Sequence, residues 1–125
     1  MSGTGRDTSG LRCEDARLIA RDVLEAAAAG ERLVDDVLLV VSELVSNAIR
    51  HAGGVTGFHV QLLAGRVEVA VSDASMLFPR TPGTPIHAPG GFGWLLVNRI
   101  ADRTEIRSHD EGKTIMAFFP VPAAT

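Results

Sequence analysis

The run SELVSNAIRHA, Ser42 to Ala52, constrains the fold of this 125-residue chain more than any other stretch. A helix advances about 100° per residue, which brings Asp36, Glu43, Asn47 and Arg50 within about 60° of one another. Their neighbours Val37, Val40, Val41, Leu44, Val45, Ala48 and Ile49 are nearly all apolar. A helix that is apolar round most of its circumference must be covered on most sides. The spacing predicts a mostly buried helix from about Arg32 to Ala52, stopped by Gly53-Gly54, with one narrow polar stripe. Polar groups on such a helix cost free energy unless something satisfies them. The chain must therefore pack further elements round this helix and still give its stripe a partner.

Composition narrows the classes. At 46% hydrophobic, the chain holds enough apolar side chains for a single core. Its formal charge of −3 and pI near 5.7, with no basic run or interleaved aromatic patch, argue against direct nucleic-acid binding. The lone Cys13 excludes an internal disulfide and a cysteine-built zinc site. MSGTGRDTSG has no apolar core of the kind a secretory signal needs, and no run approaches the ~18 apolar residues that span a bilayer. A cytoplasmic protein with no membrane contact is the expectation. Eleven arginines and a single lysine read as the codon bias of a GC-rich genome.

The remaining elements follow from periodicity and turn chemistry. Residues 1–10 are small and polar and are expected to be a disordered leader, followed by one domain over 11–122 and a tail at 123–125. An amphipathic helix is predicted over 13–28, with Ala16, Ile19, Ala20, Val23, Leu24 and Ala27 inward and Gly30 ending it. Strands at Gly57–Leu63 and Arg66–Ser72 flank the turn Ala64-Gly65. Residues 74–91 form an 18-residue loop containing Pro79, Pro82, Pro85 and Pro89, a length usually reserved for function or disorder. A helix from about Gly93 to Asp102 comes next. Strands Thr104–Ser108 and Thr114–Phe119 then pair across Asp110-Glu111-Gly112. The sum is an α/β fold, a two-layer sandwich with helices on one face of a mainly antiparallel sheet.

Several residues carry chemistry. An acceptor-only carboxylate at Glu43 beside the carboxamide of Asn47 suits a hydrated divalent ion and its anionic ligand. The apolar strand VEVAVSD ends on Asp73, where an acceptor can take a hydrogen bond from an exocyclic amine. Gly90-Gly91-Phe92-Gly93 opens a helix whose free N–H groups and positive dipole end suit phosphate. Gly112-Lys113-Thr114 opens the last strand and places a hydroxyl at the sheet edge, although Thr114 reads equally well as an ordinary strand residue. His51 reads as a helix-end cation rather than a ligand. His59, His87 and His109 lack metal-like spacing, and Trp94 reads as core.

In this order the motifs resemble the Bergerat-fold, or GHKL, ATPases, and within them the anti-sigma-factor serine/threonine kinase branch. Glu43-x-x-x-Asn47-Ala48-x-Arg50-His51-Ala52 is similar to that family's N box. Val71-x-Asp73 is similar to its first glycine box, Gly91-x-Gly93 to its second, and Gly112-Lys113-Thr114 to its closing threonine motif. The resemblance spans about residues 13–119. It implies ATP and Mg²⁺ as cofactors, with Glu43 as general base and Asn47 as the Mg²⁺ ligand. It further implies Asp73 on the adenine amine, Gly91 and Gly93 on the phosphates, and Thr114 on the adenine side. The implied partners are a sigma factor, which is sequestered, and an anti-anti-sigma protein of the STAS type, which is phosphorylated. Exposed sheet edges are compatible with a homodimer.

The sequence departs from the family at the first box, which reads Asp73-Ala74-Ser75-Met76-Leu77 and lacks both glycines. Two functions stay open at this level. One is a Mg-ATP-dependent kinase that doubles as an anti-sigma factor, favoured by the intact Glu43 and Asn47. The other is a sequestering module of the same fold with impaired nucleotide binding and no phosphoryl transfer, favoured by the altered box.

Overall fold

Three helices and five strands follow one another along the described part of the chain. The computed structural model describes residues 2–4, 10–77 and 91–121. In order they are β1 (Ser2–Thr4), α1 (Cys13–Ala26), α2 (Glu31–Ala52), β2 (Val55–Leu63), β3 (Arg66–Asp73), α3 (Gly91–Ile100), β4 (Arg103–His109) and β5 (Gly112–Pro120). The strands form one antiparallel sheet in the order β1-β2-β3-β5-β4. This is the α/β arrangement of helices and antiparallel sheet that the patterning predicts.

The core lies between the helices and one face of the sheet. Alternation along β3 turns Val67, Val69, Val71 and Asp73 inward, and all four are buried. They meet Phe119, Ala117, Ile115 and Lys113 of β5 in register. The helices contribute Ala16, Ala20, Val23 and Leu24 from α1 and Val37, Val40, Val41, Leu44, Val45 and Ala48 from α2. Burying a branched aliphatic side chain stabilises by roughly 1.5–3 kcal/mol, so α2, with most of its apolar face enclosed, anchors the layer. Its end is a glycine cap. Gly53 takes φ 75°, and the Gly54 N–H donates to the Ala48 carbonyl at 3.0 Å.

Strands β2 and β5 each begin two residues before expectation, at Val55 and Gly112, and other boundaries differ for local reasons. Helix α1 stops at Ala26, and Ala28 takes the left-handed conformation (φ 54°) expected of Gly30. Gly30 instead precedes α2 and accepts its first hydrogen bond, from the Val34 N–H at 3.0 Å. Helix α3 begins at Gly91, two residues early, and ends at Ile100 because the Asp102 N–H already donates to Phe118 of the sheet at 2.9 Å. Within the leader expected to be disordered, Ser2–Thr4 form β1, drawn in by pairing with Gln61–His59 on the edge of β2. The other expectations for that leader, for the proline-containing loop and for the tail fall largely at 1, 5–9, 78–90 and 122–125, outside the described residues.

Candidate functional site

The polar stripe of α2 is only half buried at Glu43 and Asn47, while the side chains beside it are enclosed. The first turn of α3 covers it. A Cβ added at Gly93 would overlap the Glu43 Oε2 atom, lie 3.3 Å from its Cδ and 3.9 Å from Asn47 Nδ2. Any side chain there would push the carboxylate aside, because the α3 backbone rests directly on it. Gly91 opens the same turn. The first four N–H groups of a helix have no intrahelical acceptor and sit at its positive end, so this turn presents donors beside a carboxylate and a carboxamide. The structure thus brings Glu43, Asn47 and Gly93 together.

Glu43 and Asn47 are held differently. Among the described residues, no hydrogen bond or ion pair restrains the Glu43 carboxylate. Asn47 Oδ1 accepts a hydrogen bond from Arg50 Nη2 at 2.8 Å, one turn further on. A groove of about 360 Å³ runs along this side of α2, lined by Glu43, Ser46, Ile49 and Arg50.

Asp73 sits at the end of β3. Its register partner on β2 is Val55, just past the glycine turn that ends α2. The register slips by one residue between Val55 and Gly57, a bulge that kinks β2 beside Asp73. Asp73 is 4% exposed, and its Oδ1 accepts two hydrogen bonds: Lys113 Nζ at 2.9 Å and the Ser75 N–H at 2.9 Å. Among the described residues both donors fall on Oδ1, which leaves Oδ2 as the acceptor for a ligand. Lys113 is 5% exposed and donates also to the Ser75 carbonyl at 3.3 Å. Beside the pair, Gly112 has φ 144° and no room for a side chain, since a Cβ would overlap the Asp73 carbonyl oxygen.

Thr114 is the candidate that the structure separates from the others. Successive strand residues face opposite ways. Asp73 pairs with Lys113 on the helix side, so Ser72 pairs with Thr114 on the far side. Thr114 Oγ1 is hydrogen bonded there with Ser72 Oγ at 2.7 Å and with His109 Nε2 at 3.2 Å. The inward position of the closing motif belongs to Lys113, which sequence reading passed over in favour of its neighbour. Its signal was in plain view as the only lysine of the chain.

The altered first box has a structure of its own. Ser75 gives its N–H to Asp73 Oδ1, and its Oγ accepts the Leu77 N–H at 3.1 Å. These side-chain turns replace glycine freedom by hydrogen bonding. Trp94 is buried in the core, as expected. Among the described residues, His51 and His109 are exposed, and no group of three or more His, Cys, Asp or Glu side chains could hold a metal ion. A divalent ion here would depend on Asn47 and on oxygens that a ligand brings.

The residues fit a phosphate-bearing ligand with an amine at one end. The glycine turn of α3 leaves space and donors beside Glu43 and Asn47, and Asp73 Oδ2 offers an acceptor at the sheet end. Among the described residues, no helix is long and apolar enough to cross a membrane. No curated protein matches the chain. The family model of the histidine kinase-like ATPase domain matches residues 11–119.

Proposed function

The chain belongs to the histidine kinase-like ATPase domain family, and from that membership we propose that it is a cytoplasmic ATP-dependent serine/threonine protein kinase and anti-sigma factor. In this reading it phosphorylates an anti-anti-sigma protein of the STAS type and sequesters a sigma factor. Domains of this family bind ATP, usually with Mg²⁺. The observation that carries the kinase reading is the contact of Gly93 with Glu43 and Asn47. It sets an unrestrained carboxylate beside helix N–H donors, which pairs a proton acceptor with a phosphate cradle.

Each residue has a defined task. Glu43 takes the proton of the attacking hydroxyl, a role open to it because no other side chain among the described residues holds the carboxylate. Asn47, whose Oδ1 accepts from Arg50, would offer that oxygen to the cation. The first turn of α3 directs N–H groups at phosphate oxygens. Asp73 accepts from the adenine amine through Oδ2. When bound, Mg²⁺ supplies positive charge that offsets the phosphate oxygens. Transfer of radiolabelled phosphate to a candidate anti-anti-sigma protein, run beside capture of a sigma factor, tests the reading. Labelling of the partner is expected, and capture without labelling overturns the kinase.

A second reading draws on the Lys113–Asp73 ion pair and the hydrogen-bonded Ser75 turn. An adenine-reading aspartate that already has partners matches a sequestering module with impaired nucleotide binding. That module predicts partner capture unaffected by Glu43→Ala or Asn47→Ala.

A further inference from the structure

We propose that Lys113 reads the base together with Asp73, its buried ammonium donating to a ring nitrogen of adenine that flanks the exocyclic amine. The inference rests on the nucleotide reading above and deepens it by assigning a second specificity residue. Four observations support it. Lys113 stands opposite Asp73 in the β3–β5 register, on the helix side of the sheet, with both side chains almost fully enclosed. An ammonium carries three N–H donors. Among the described residues two are committed, to Asp73 Oδ1 and to the Ser75 carbonyl, and the third is not.

The pair also has a pattern. Its donors fall on Oδ1, so an acceptor, Oδ2, and a donor, Nζ, flank the same oxygen. Adenine presents the complement, an amine donor with ring-nitrogen acceptors on either side of it, N1 and N7. A carboxylate alone would satisfy only the amine. With Lys113 beside it, the sheet end recognises a donor next to an acceptor.

Choice of residue points the same way. Eleven of the twelve Lys and Arg residues are arginine, and the exception, Lys113, is buried against an acid. An arginine fork brings five donors in a fixed plane, whereas an ammonium is a compact charge with rotatable donors. Buried ion pairs often add no more stability than apolar residues of similar volume, so stability alone does not call for one here. Gly112, whose missing Cβ lets β5 lie against the Asp73–Ala74 backbone, holds the pair in position before any ligand arrives.

Calorimetry on the full chain with Mg²⁺ tests this, using ATP, its 1-deaza and 7-deaza analogues, and purine riboside triphosphate, which lacks the amine. Wild type is expected to bind one of the two deaza analogues about tenfold or more weakly than ATP, the factor for a hydrogen bond to a charged group. Lys113→Met is expected to weaken ATP by a similar factor and to bind ATP and that analogue equally. A merely structural lysine would lower all affinities together and keep the ratio. Equal binding of ATP and both deaza analogues by wild type overturns the role of Lys113. If the amine-free analogue still binds weakly in that case, Asp73 keeps its part and only Lys113 loses its own. Failure of wild type to bind any nucleotide overturns the nucleotide reading and this inference with it. That overturning result is read on wild type alone, so it stands even where Lys113→Met does not fold.

Discussion

The two ends of the candidate site are built on opposite plans. At the α2–α3 contact, Glu43 is half exposed and unrestrained by any described residue, and the missing side chain at Gly93 makes space for it. At the sheet end, Asp73 and Lys113 are buried, paired and backed by main-chain hydrogen bonds from and to Ser75. A group that must accept a proton gains from freedom and from water nearby. A group that recognises a base gains from being fixed in advance. Under the proposed kinase reading, reactivity belongs to one corner and selectivity to the other, and substitutions at the two corners are predicted to fail in different ways.

The largest effect belongs to the reactive corner. Glu43→Ala is expected to lower phosphoryl transfer by ~10²–10⁴-fold, the usual contribution of a general base. Because Glu43 has no partner to lose among the described residues, stability should stay within about 0.5 kcal/mol of wild type. Nucleotide affinity should hold as well. Transfer rates and urea unfolding measured on the same preparation check both halves, and transfer that survives in Glu43→Ala removes that residue from the mechanism.

At the selective corner the loss appears as stability. Asp73→Ala strands the buried Lys113 ammonium, and removing one partner of a buried pair costs about 3–5 kcal/mol. Urea midpoints measure it. A loss under about 1 kcal/mol would mean that the pair behaves as a solvated one, and the contrast between the corners would collapse. The milder Asp73→Asn keeps the shape but turns an acceptor into a mixed donor and acceptor. It should weaken ATP by ~1–3 kcal/mol in calorimetry.

How much of this was legible in the sequence follows the range of the forces involved. The α2 stripe was legible because helical period is a local property, and Glu43, Asn47 and the Gly53-Gly54 stop lie within a dozen residues. Strand existence was legible from alternation, and the two hairpins from their turn residues. The inward residue of Gly112-Lys113-Thr114 was not. Facing in a strand depends on register, and here register is set by β3, forty residues away in sequence, where Lys113 meets Asp73. The motif's order was visible, but which of two neighbours pointed at the site was not. The same holds for Gly93, whose role against Glu43 exists only after α3 packs on α2. Strand β1 had no signal of its own, because three residues are too few to show a period and only the open edge of β2 organises them.

Two glycines sharpen the contrast further. At Gly93 the obstructing atom is the end of a flexible side chain, so Gly93→Ala can be accommodated by moving Glu43. Alanine also favours helix by about 1 kcal/mol over glycine. Gly93→Ala should therefore melt no lower than wild type yet transfer phosphate at least about tenfold more slowly, since the base leaves its position. At Gly112 the obstruction is backbone and φ is 144°, so Gly112→Ala should cost about 1–3 kcal/mol of stability. Thermal melts and transfer assays on both variants decide it, and a Gly93→Ala protein as active as wild type would separate Glu43 from catalysis.

The smallest effect concerns the hydrogen bond between Arg50 and Asn47, which ties down part of the reactive corner. Arg50 Nη2 donates to Asn47 Oδ1 at 2.8 Å, on an exposed face of α2. Exposed contacts at this helical spacing are worth about 0.2–0.5 kcal/mol, so Arg50→Ala should barely change unfolding. Its effect on binding has a definite sign. A cation that uses Asn47 Oδ1 must first displace the guanidinium, and removing Arg50 removes that small competing interaction. Affinity for ATP should then rise by at most about twofold with Mg²⁺ present, as the free energy of the lost contact allows. It should not change in excess chelator, where Asn47 has no cation to hold. Calorimetric titrations under the two conditions check this directly. Weaker binding in both would instead place Arg50 on the phosphates, and the reactive corner would then be built from four groups of α2 and α3 rather than three.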